Sequence, residues 1–454
     1  MKSRTIIKSF LPFFFFLSCI FNEGVLADPP NNLQGIWNEL QIPGDLPYSR
    51  KGHTAIYDSQ DERMIVFGGW SSVVYNTLND VWSYDISANT WTQLSTSGGP
   101  PPNRAGHVAI YDNMRHRMIV FAGSNWWQTW YNDTWALDLT TNTWTQLSTT
   151  GGPPTNRYFH AGVYDSIQDR LIIFGGACGS TSNNWKSDET WALNLGTLQW
   201  EQLNTSNNPL PREEMSATFD ATHNRLIVFG GRDNSTNFSD VQALDLSTYV
   251  WSYLGDFANT VSCHTAVFNP QKNLMIVVAG WGLYNHGQAA VFSIDDDSWL
   301  NVSIAGDIPS SRQDPSLIWD PVGERALMFG GDPGPLTTDY NDTWELLLSE
   351  TTGIRDSETN QPINVFLQQN YPNPFNPTTN IEYSVLKSSQ VELKIYNTLG
   401  QMVKTLVADY KTTGKYIVMW DGKDDFGRTV SSGNYFYQIK IGNFTLTKKM
   451  ILMR

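Results

Sequence analysis

Six stretches decide how this chain is read: MIVFGG at Met64–Gly69, MIVFAG at Met118–Gly123, LIIFGG at Leu171–Gly176, LIVFGG at Leu226–Gly231, MIVVAG at Met275–Gly280 and ALMFGG at Ala326–Gly331. Each is a short apolar run closed by a small pair, and the second glycines lie 54, 53, 55, 49 and 51 residues apart. A fixed period of this size marks a repeat architecture. Around each run the pattern extends outward. A β-patterned segment such as HTAIYD from His53 or HVAIYD from His107 comes first, followed by a polar hairpin and the small-pair strand. After a variable loop come a third segment such as DVWSYD from Asp80 or DTWALD from Asp133, a polar turn, and a fourth segment opening at a tryptophan. Four short strands per repeat predict one blade of a β-propeller.

The fourth-strand tryptophans are Trp91, Trp144, Trp200, Trp251 and Trp299, and the sixth repeat stops after its third strand, near Leu348. The missing one stands at the other end of the chain, as Trp37 in GIWNELQIPGDLP. Residues 36–42 are therefore expected to supply the outer strand of the last blade and close a ring of six, which removes open sheet edges. The small pair after an apolar strand, the third-strand aromatic and the fourth-strand tryptophan together resemble the kelch repeat, also found in the central domain of galactose oxidases. The resemblance covers Gly35 to about Ser349. It implies a platform that serves as scaffold, sugar-binding protein or enzyme, and leaves the ligand open.

Composition limits the alternatives. The 454 residues carry 44 acidic and 30 basic side chains, a net charge of −14, with 18 tryptophans and three cysteines. Such a charge argues against nucleic acid as a partner, and no apolar run reaches the roughly 18 residues of a spanning helix. Residues 1–27 begin with Lys2, Arg4 and Lys8, continue through an apolar stretch from Phe10 to Phe21, and end in Val25-Leu26-Ala27, which reads as a secretory signal. Lipid attachment at Cys19 is the alternative there. After cleavage only Cys178 and Cys263 remain, so one disulfide is the most that export could produce. The charge is divided: +5 in residues 362–454, +2 in the signal, and hence −21 in residues 28–361. This step marks a boundary, with 28–348 as the propeller, 349–362 as a polar linker and 363–454 as a second module.

That second module alternates apolar residues between Gly- and Asp-rich turns, which predicts a small immunoglobulin-like β-sandwich, so the whole chain is expected to be all-β. Its segments YPNPFNP, IYNTLGQ, WDGKDDFG and SGNYFYQI, with the KKMILMR terminus, resemble the type A sorting domain of the type IX secretion system, related to the immunoglobulin-like domain of flagellar hook-capping proteins. The resemblance implies passage through the periplasm and export by the type IX translocon and its signal-processing machinery to the outer-membrane surface or the medium. Gly433, Lys448, Lys449 and Arg454, with the turn at Asp421, are the candidate sorting signal. An edge strand that carries charge to resist pairing is the structural reading of the lysines.

Strand order places the long loops on one rim of the ring, where function concentrates. That rim also carries Arg50, Arg104, Arg157, Arg212 and Arg312, one before each inner strand except the fifth, where Val261 stands. Two readings are open. Either each guanidinium bonds loop carbonyls or a neighbouring acid, or the five surround the central opening as a positive funnel for an anionic ligand; matching arginines in kelch proteins imply the second. The histidines three residues on, His53, His107, His160 and His264, read as inner-strand residues rather than metal ligands. Trp126, Trp127, Trp130 and Tyr131 in the second repeat, and Trp281 in the fifth, are candidates for stacking on a ligand. Tyr75, Trp185 and Tyr284 extend this aromatic theme. Asp295-Asp296-Asp297 reads as a turn former more than a calcium site. No nucleophile elbow, HExxH helix or phosphate loop occurs, and no catalytic residue, metal or cofactor is assigned. The expectation is a secreted or cell-surface binding protein that recognises a glycan or protein; an extracellular oxidase, lyase or epimerase on the same face is the alternative.

Overall fold

The computed structural model describes residues 32–453 apart from 126–127, 181, 284–287, 335–337, 351–364, 368–369, 386–387, 399, 413 and 442–443. The signal segment, Trp126, Trp127, Tyr284, most of the linker and Arg454 thus lie outside the described residues. The chain divides into two compact units, one through Thr351 and the other from Thr352.

The first unit is the six-bladed propeller. Blades 1 to 4 are four-stranded antiparallel sheets in sequence order, as in Thr54–Asp58, Arg63–Phe67, Val81–Asp85 and Thr90–Gln93 of blade 1. The second strand of each blade lies inside the sheet with both faces covered by neighbouring blades. Met64, Ile65, Val66 and Phe67 are all fully buried, which is why these strands read as unbroken apolar runs and not as alternation. Between blades the contact repeats. The outer-strand tryptophan of one blade lies on the phenylalanine that ends the second strand of the blade before it: Trp144 on Phe67 at 4.9 Å, Trp200 on Phe121 at 4.7 Å, Trp251 on Phe174 at 4.9 Å, Trp299 on Phe229 at 4.8 Å, and Trp91 on Phe329 at 4.8 Å. The repeat tryptophans are the mortar between blades.

The closing strand is Asn32–Glu39, a few residues earlier than the expected 36–42. It pairs antiparallel with Tyr340–Glu350 of blade 6, Trp37 opposite Leu346, and also parallel with Ser298–Gly306 of blade 5, Trp37 opposite Gly306. Blades 5 and 6 are therefore one continuous eight-stranded sheet, a join the repeat pattern did not announce. Elsewhere the same parallel approach is a single bridge, such as Ser97 to Thr143. Trp37 is fully buried and meets Trp344 edge-on at 6.5 Å.

The second unit is a sandwich of two sheets. One joins Val365–Leu367, Thr379–Val385 and Gly414–Trp420; the other has four strands, with Ser389–Asn397 and Gly433–Ile441 in its middle and Phe444–Leu452 at an edge. Trp420, fully buried, anchors the core between Phe375 at 5.5 Å and Tyr435 at 5.3 Å.

Truncation of Trp37 removes a buried indole from the seam that closes the ring. Trp37→Ala is expected to lower unfolding free energy by about 3–5 kcal/mol, the range for Trp→Ala in a core, read by urea denaturation with tryptophan fluorescence. A loss below ~1 kcal/mol would show that the seam does not hold the propeller closed.

Candidate functional site at the long-loop rim

The five rim arginines are fully buried, and each is satisfied inside its own blade. In blade 2, Arg104 Nε donates to the Pro102 carbonyl at 3.1 Å and Nη1 to the Ala122 carbonyl at 2.8 Å. Nη1 and Nη2 also grip Asp133 at 2.7 and 2.9 Å. Arg50 repeats this with Asp80, Arg212 with Asp240 and Arg312 with Asp342, while Arg157 meets Glu189 at 2.9 Å. The third-strand tryptophan then donates to the same acid: Trp82 to Asp80 at 2.8 Å, Trp135 to Asp133 at 2.7 Å, Trp191 to Glu189 at 3.1 Å, Trp344 to Asp342 at 2.7 Å. The positive funnel expected for Arg50, Arg104, Arg157, Arg212 and Arg312 is thereby corrected. Their donors are spent on carbonyls and carboxylates, and no part of the side chains faces the opening. Blade 5 carries Val261 in place of the arginine and Gln288 in place of the acid, so both charges are lost together, as they must be where an unpaired buried ion is so costly.

Burial alone would raise the carboxyls of Asp80, Asp133, Glu189 and Asp240, but the facing arginine outweighs it and holds each below its ordinary value.

The aromatic candidates separate. Tyr131 lies over the Arg104 guanidinium at 4.5 Å, and Trp130 is buried edge-on against Tyr158 at 4.7 Å, so both support the rim from within. Trp281, Trp185 and Tyr75 are exposed at 45%, 46% and 82%, and all three stand on the long second-to-third loops. Three of the four inner-strand histidines, His53, His107 and His264, line a central cavity of about 200 Å³ with Met215 and Pro315. Two of them take hydroxyl partners from the preceding blade, His107 from Thr54 at 2.8 Å and His264 from Ser216 at 2.9 Å. Burial holds all four well below the ordinary imidazole value, His264 at about 3, so they are neutral.

Sequence reading missed what closes the mouth of that channel. Two residues after each arginine position, Gly52, Gly106, Phe159, Glu214, Cys263 and Asp314 form a closed ring of six backbone hydrogen bonds. Each N–H donates to the carbonyl of the ring residue in the blade before it, at 2.8–3.2 Å. All six have φ between 49° and 63°, a region that glycine occupies freely and the other four enter under constraint. Blades 4 to 6 thereby bring Glu214, Cys263 and Asp314 to one side of the mouth. The Cys263 thiol donates to Glu214 Oε2 at 2.8 Å, and Arg232 holds Glu214 from the other side at 2.6 Å. Burial, then the charges of Asp314 and Glu214, push the thiol well above its usual value; burial and Glu214 do the same for the Asp314 carboxyl. A thiol so placed stays protonated and is no nucleophile. Cys178 and Cys263 are both free and buried.

Around the mouth, Lys186 pairs with Glu213 at 2.7 Å and Lys51 with Asp332, while Ser72 and Asp339 exchange hydrogen bonds between the loops of blades 1 and 6. The opposite rim repeats one pair in five of the six blades. Asp112 accepts from Arg117 Nε at 2.8 Å, and the pairs Asp58–Arg63, Asp165–Arg170, Asp220–Arg225 and Asp320–Arg325 repeat it. Asp58, Asp61 and His116 gather there, but Arg63 bonds both carboxylates. In the Asp295–Asp297 turn, Arg225 holds Asp297 at 2.8 Å and the Ser293 hydroxyl donates to Asp296 at 2.8 Å.

In the second unit, Gly433 opens a central strand, and Lys448 and Lys449 lie on the edge strand opposite Tyr437 and Phe436. Asp421 meets Lys404 at 3.4 Å.

Comparison with known proteins agrees with the geometry. The model of the KLHDC2/KLHL20/DRC7 Kelch-repeats domain matches residues 27–206 and 148–331, and that of the FlgD Ig-like domain matches 378–443. The flagellar outer arm dynein alpha chain of Chlamydomonas reinhardtii is 31% identical over 65% of this chain and 7% of its own length. Two acyl-CoA-binding domain-containing proteins of Arabidopsis thaliana are similar too: protein 5 is 30% identical over 44% of this chain and 30% of its own length, and protein 4 is 27% identical over 67% and 46%. The chain spans less than half the length of each of these relatives.

Asp133→Ala leaves Arg104 buried without its partner and should cost about 3–5 kcal/mol, whereas the double change Arg104→Met with Asp133→Leu, which removes both charges as blade 5 does, should recover most of it. Equal losses in urea denaturation would overturn the pairing argument. Because the folded carboxyls titrate below their unfolded values, the pairs stabilise fully above about pH 4 and lose that contribution as pH falls through the depressed values. Stability should therefore be level near neutrality and drop in acid, with a smaller drop in the double variant.

Proposed function

Because the chain belongs to the KLHDC2/KLHL20/DRC7 Kelch-repeats domain family, we propose that it is a binding protein whose long-loop rim engages a protein partner, carried out of the cell by its C-terminal module. The observation that carries this reading is the contrast between the two rims. The hairpin rim repeats one Asp–Arg staple in five of six blades, while the long-loop rim differs from blade to blade and exposes Tyr75, Trp185 and Trp281. Exposed aromatic rings on a rigid frame are the usual anchors of recognition surfaces. A glycan would use the same rings by stacking, and is the second ligand class the rim suits. Export rests on the second unit, whose immunoglobulin-like fold and basic edge strand fit the resemblance to type IX sorting domains.

Two measurements check this. Partner capture by the full mature chain from its native extracellular milieu should fall at least tenfold in Trp185→Ala with Trp281→Ala, and stay unchanged in Met114→Glu with Ile167→Glu, which alters the exposed hairpin rim. Equal effects from both pairs would sink the assignment of the rim, and saturable binding to glycans in place of protein would move it to the second class. Deleting Lys448 to Arg454 should leave the protein in the periplasm; unchanged surface delivery would remove the export role.

A further inference from the structure

The repeat itself defines a site by omission. In blades 1, 2, 3 and 6 the third strand carries a tryptophan whose indole N–H donates to the acid of the arginine pair. Blade 4 has Gln242 at this position. Its Nε2 donates to Asp240 Oδ2 at 2.7 Å, so the hydrogen bond is kept, but the volume of the ring is not. An open cavity of about 500 Å³ lies here, lined among others by Asn208, Leu210, Phe238, Asp240, Gln242 and Tyr253.

The aromatic group has moved without refilling the slot. In blades 1 to 3 the third-strand tryptophan faces a glutamine of the outer strand, as Trp135 faces Gln146; in blade 4 the order is reversed and Gln242 faces Tyr253. A β-bulge between Val241 and Gln242 shifts the register there. Tyr253 stays 59% exposed with its hydroxyl donating to Asp256 at 2.6 Å, and Leu210 beside it is 63% exposed. Blade 5 shows how the slot is otherwise closed. There Ala290 replaces the tryptophan, and Phe257, four residues before Val261, packs at 4.6 Å from Trp299. The residue four before Arg212 is Asn208, which supplies no ring.

We infer that the blade 4 slot is a binding site for a planar aromatic ring bearing an N–H donor, and that its occupant is a tryptophan side chain of the protein partner. The cavity lies at the place where blades 1, 2, 3 and 6 carry an indole of their own. Leu210, Phe238 and Tyr253 give apolar walls. With its Nε2 bound to Asp240, the Gln242 amide leaves Oε1 as an acceptor that no described residue uses, the complement of an indole N–H. The assignment deepens the rim reading by naming what the partner inserts, and the small-molecule probe below tests it independently of any partner.

The probe is N-acetyl-L-tryptophanamide, titrated into the full chain by calorimetry and by saturation-transfer NMR. Wild type should bind it saturably with a dissociation constant of ~0.1–1 mM, the range for a fragment of this size, and N-acetyl-L-leucinamide at least tenfold more weakly. Two variants close the slot by the chain's own solutions: Gln242→Trp copies blades 1, 2, 3 and 6, and Asn208→Phe copies blade 5. Each should weaken the probe at least tenfold with an unchanged or higher melting temperature, and the second keeps the test open if the first fails to fold. Absence of binding to wild type, or undiminished binding to a folded blocked variant, overturns the site. Tenfold tighter binding of free tryptophan than of the capped amide overturns the partner side chain as occupant. Loss of the probe with partner capture intact would leave the rim reading standing without this site.

Discussion

The long-loop side of the propeller hangs from one interaction, the buried arginine that opens the inner strand in five of the six blades. Its Nε holds the link arriving from the preceding blade, its Nη1 holds the carbonyl at the end of the second strand, and its fork holds the acid that starts the third. Three chain segments that meet nowhere else in the sequence are fixed by one guanidinium. The arrangement reaches the next blade through the backbone, since the second residue of the Gly pair donates to the carbonyl of the following arginine, as Gly69 does to Arg104 at 2.9 Å. A Cβ on Gly69 would come within 2.7–2.9 Å of His53 and of the Lys51 carbonyl, so the glycine follows from the approach as well as from its φ of 96°.

This knot separates scaffold from display. Two residues past the arginine, the backbone ring is set by hydrogen bonds that take no account of side chains, so the mouth accepts glycine in blades 1 and 2 and Phe159, Glu214, Cys263 and Asp314 in the others. The four non-glycine residues persist in the left-handed region because ring closure over-determines them. The mouth is thus polarised, with carboxyls and a thiol on one side and glycines on the other, although the backbone beneath keeps six-fold regularity. Polarity of this kind comes from identity at a fixed place, and the hairpin rim, where the same Asp–Arg pair recurs, shows what the alternative looks like.

Much of the architecture was legible because it repeats. The apolar strand with its small pair, the outer tryptophan, and Trp37 as the displaced sixth of the set are signals carried by residue type and spacing alone. The arginines were legible as a set but ambiguous in role, since a guanidinium that bonds inward and one that faces an opening leave the same letter in the sequence. The acids that decide the matter, Asp80, Asp133, Glu189, Asp240 and Asp342, stand about 30 residues downstream, across the loop whose length varies most. The parallel join of Asn32–Glu39 to blade 5 left no trace either, because edge pairing uses backbone groups that every residue shares. Glu214, Cys263 and Asp314 escaped because they share no chemistry and are aligned only by their distance from the arginine.

Departures from a repeat are informative in proportion to what the structure does about them. Blade 5 loses the arginine and its acid, the hairpin pair, where Asn269 and Leu274 stand, and the third-strand tryptophan. Each loss is matched: charges vanish in pairs, Phe257 brings a ring back, and the N-terminal strand adds parallel pairing along Ser298–Gly306. Compensation of this sort is what stability alone requires, because an unpaired ion or an empty slot in a packed body costs free energy. Blade 4 behaves otherwise. It keeps both ion pairs, Arg212–Asp240 and Arg225–Asp220, and keeps the hydrogen bond to Asp240, yet gives up the ring and leaves Leu210 and Tyr253 facing solvent. A blade with intact electrostatics and an unfilled ring position has yielded packing where nothing in the scaffold obliged it to, and that asymmetry separates a recognition feature from a tolerated defect.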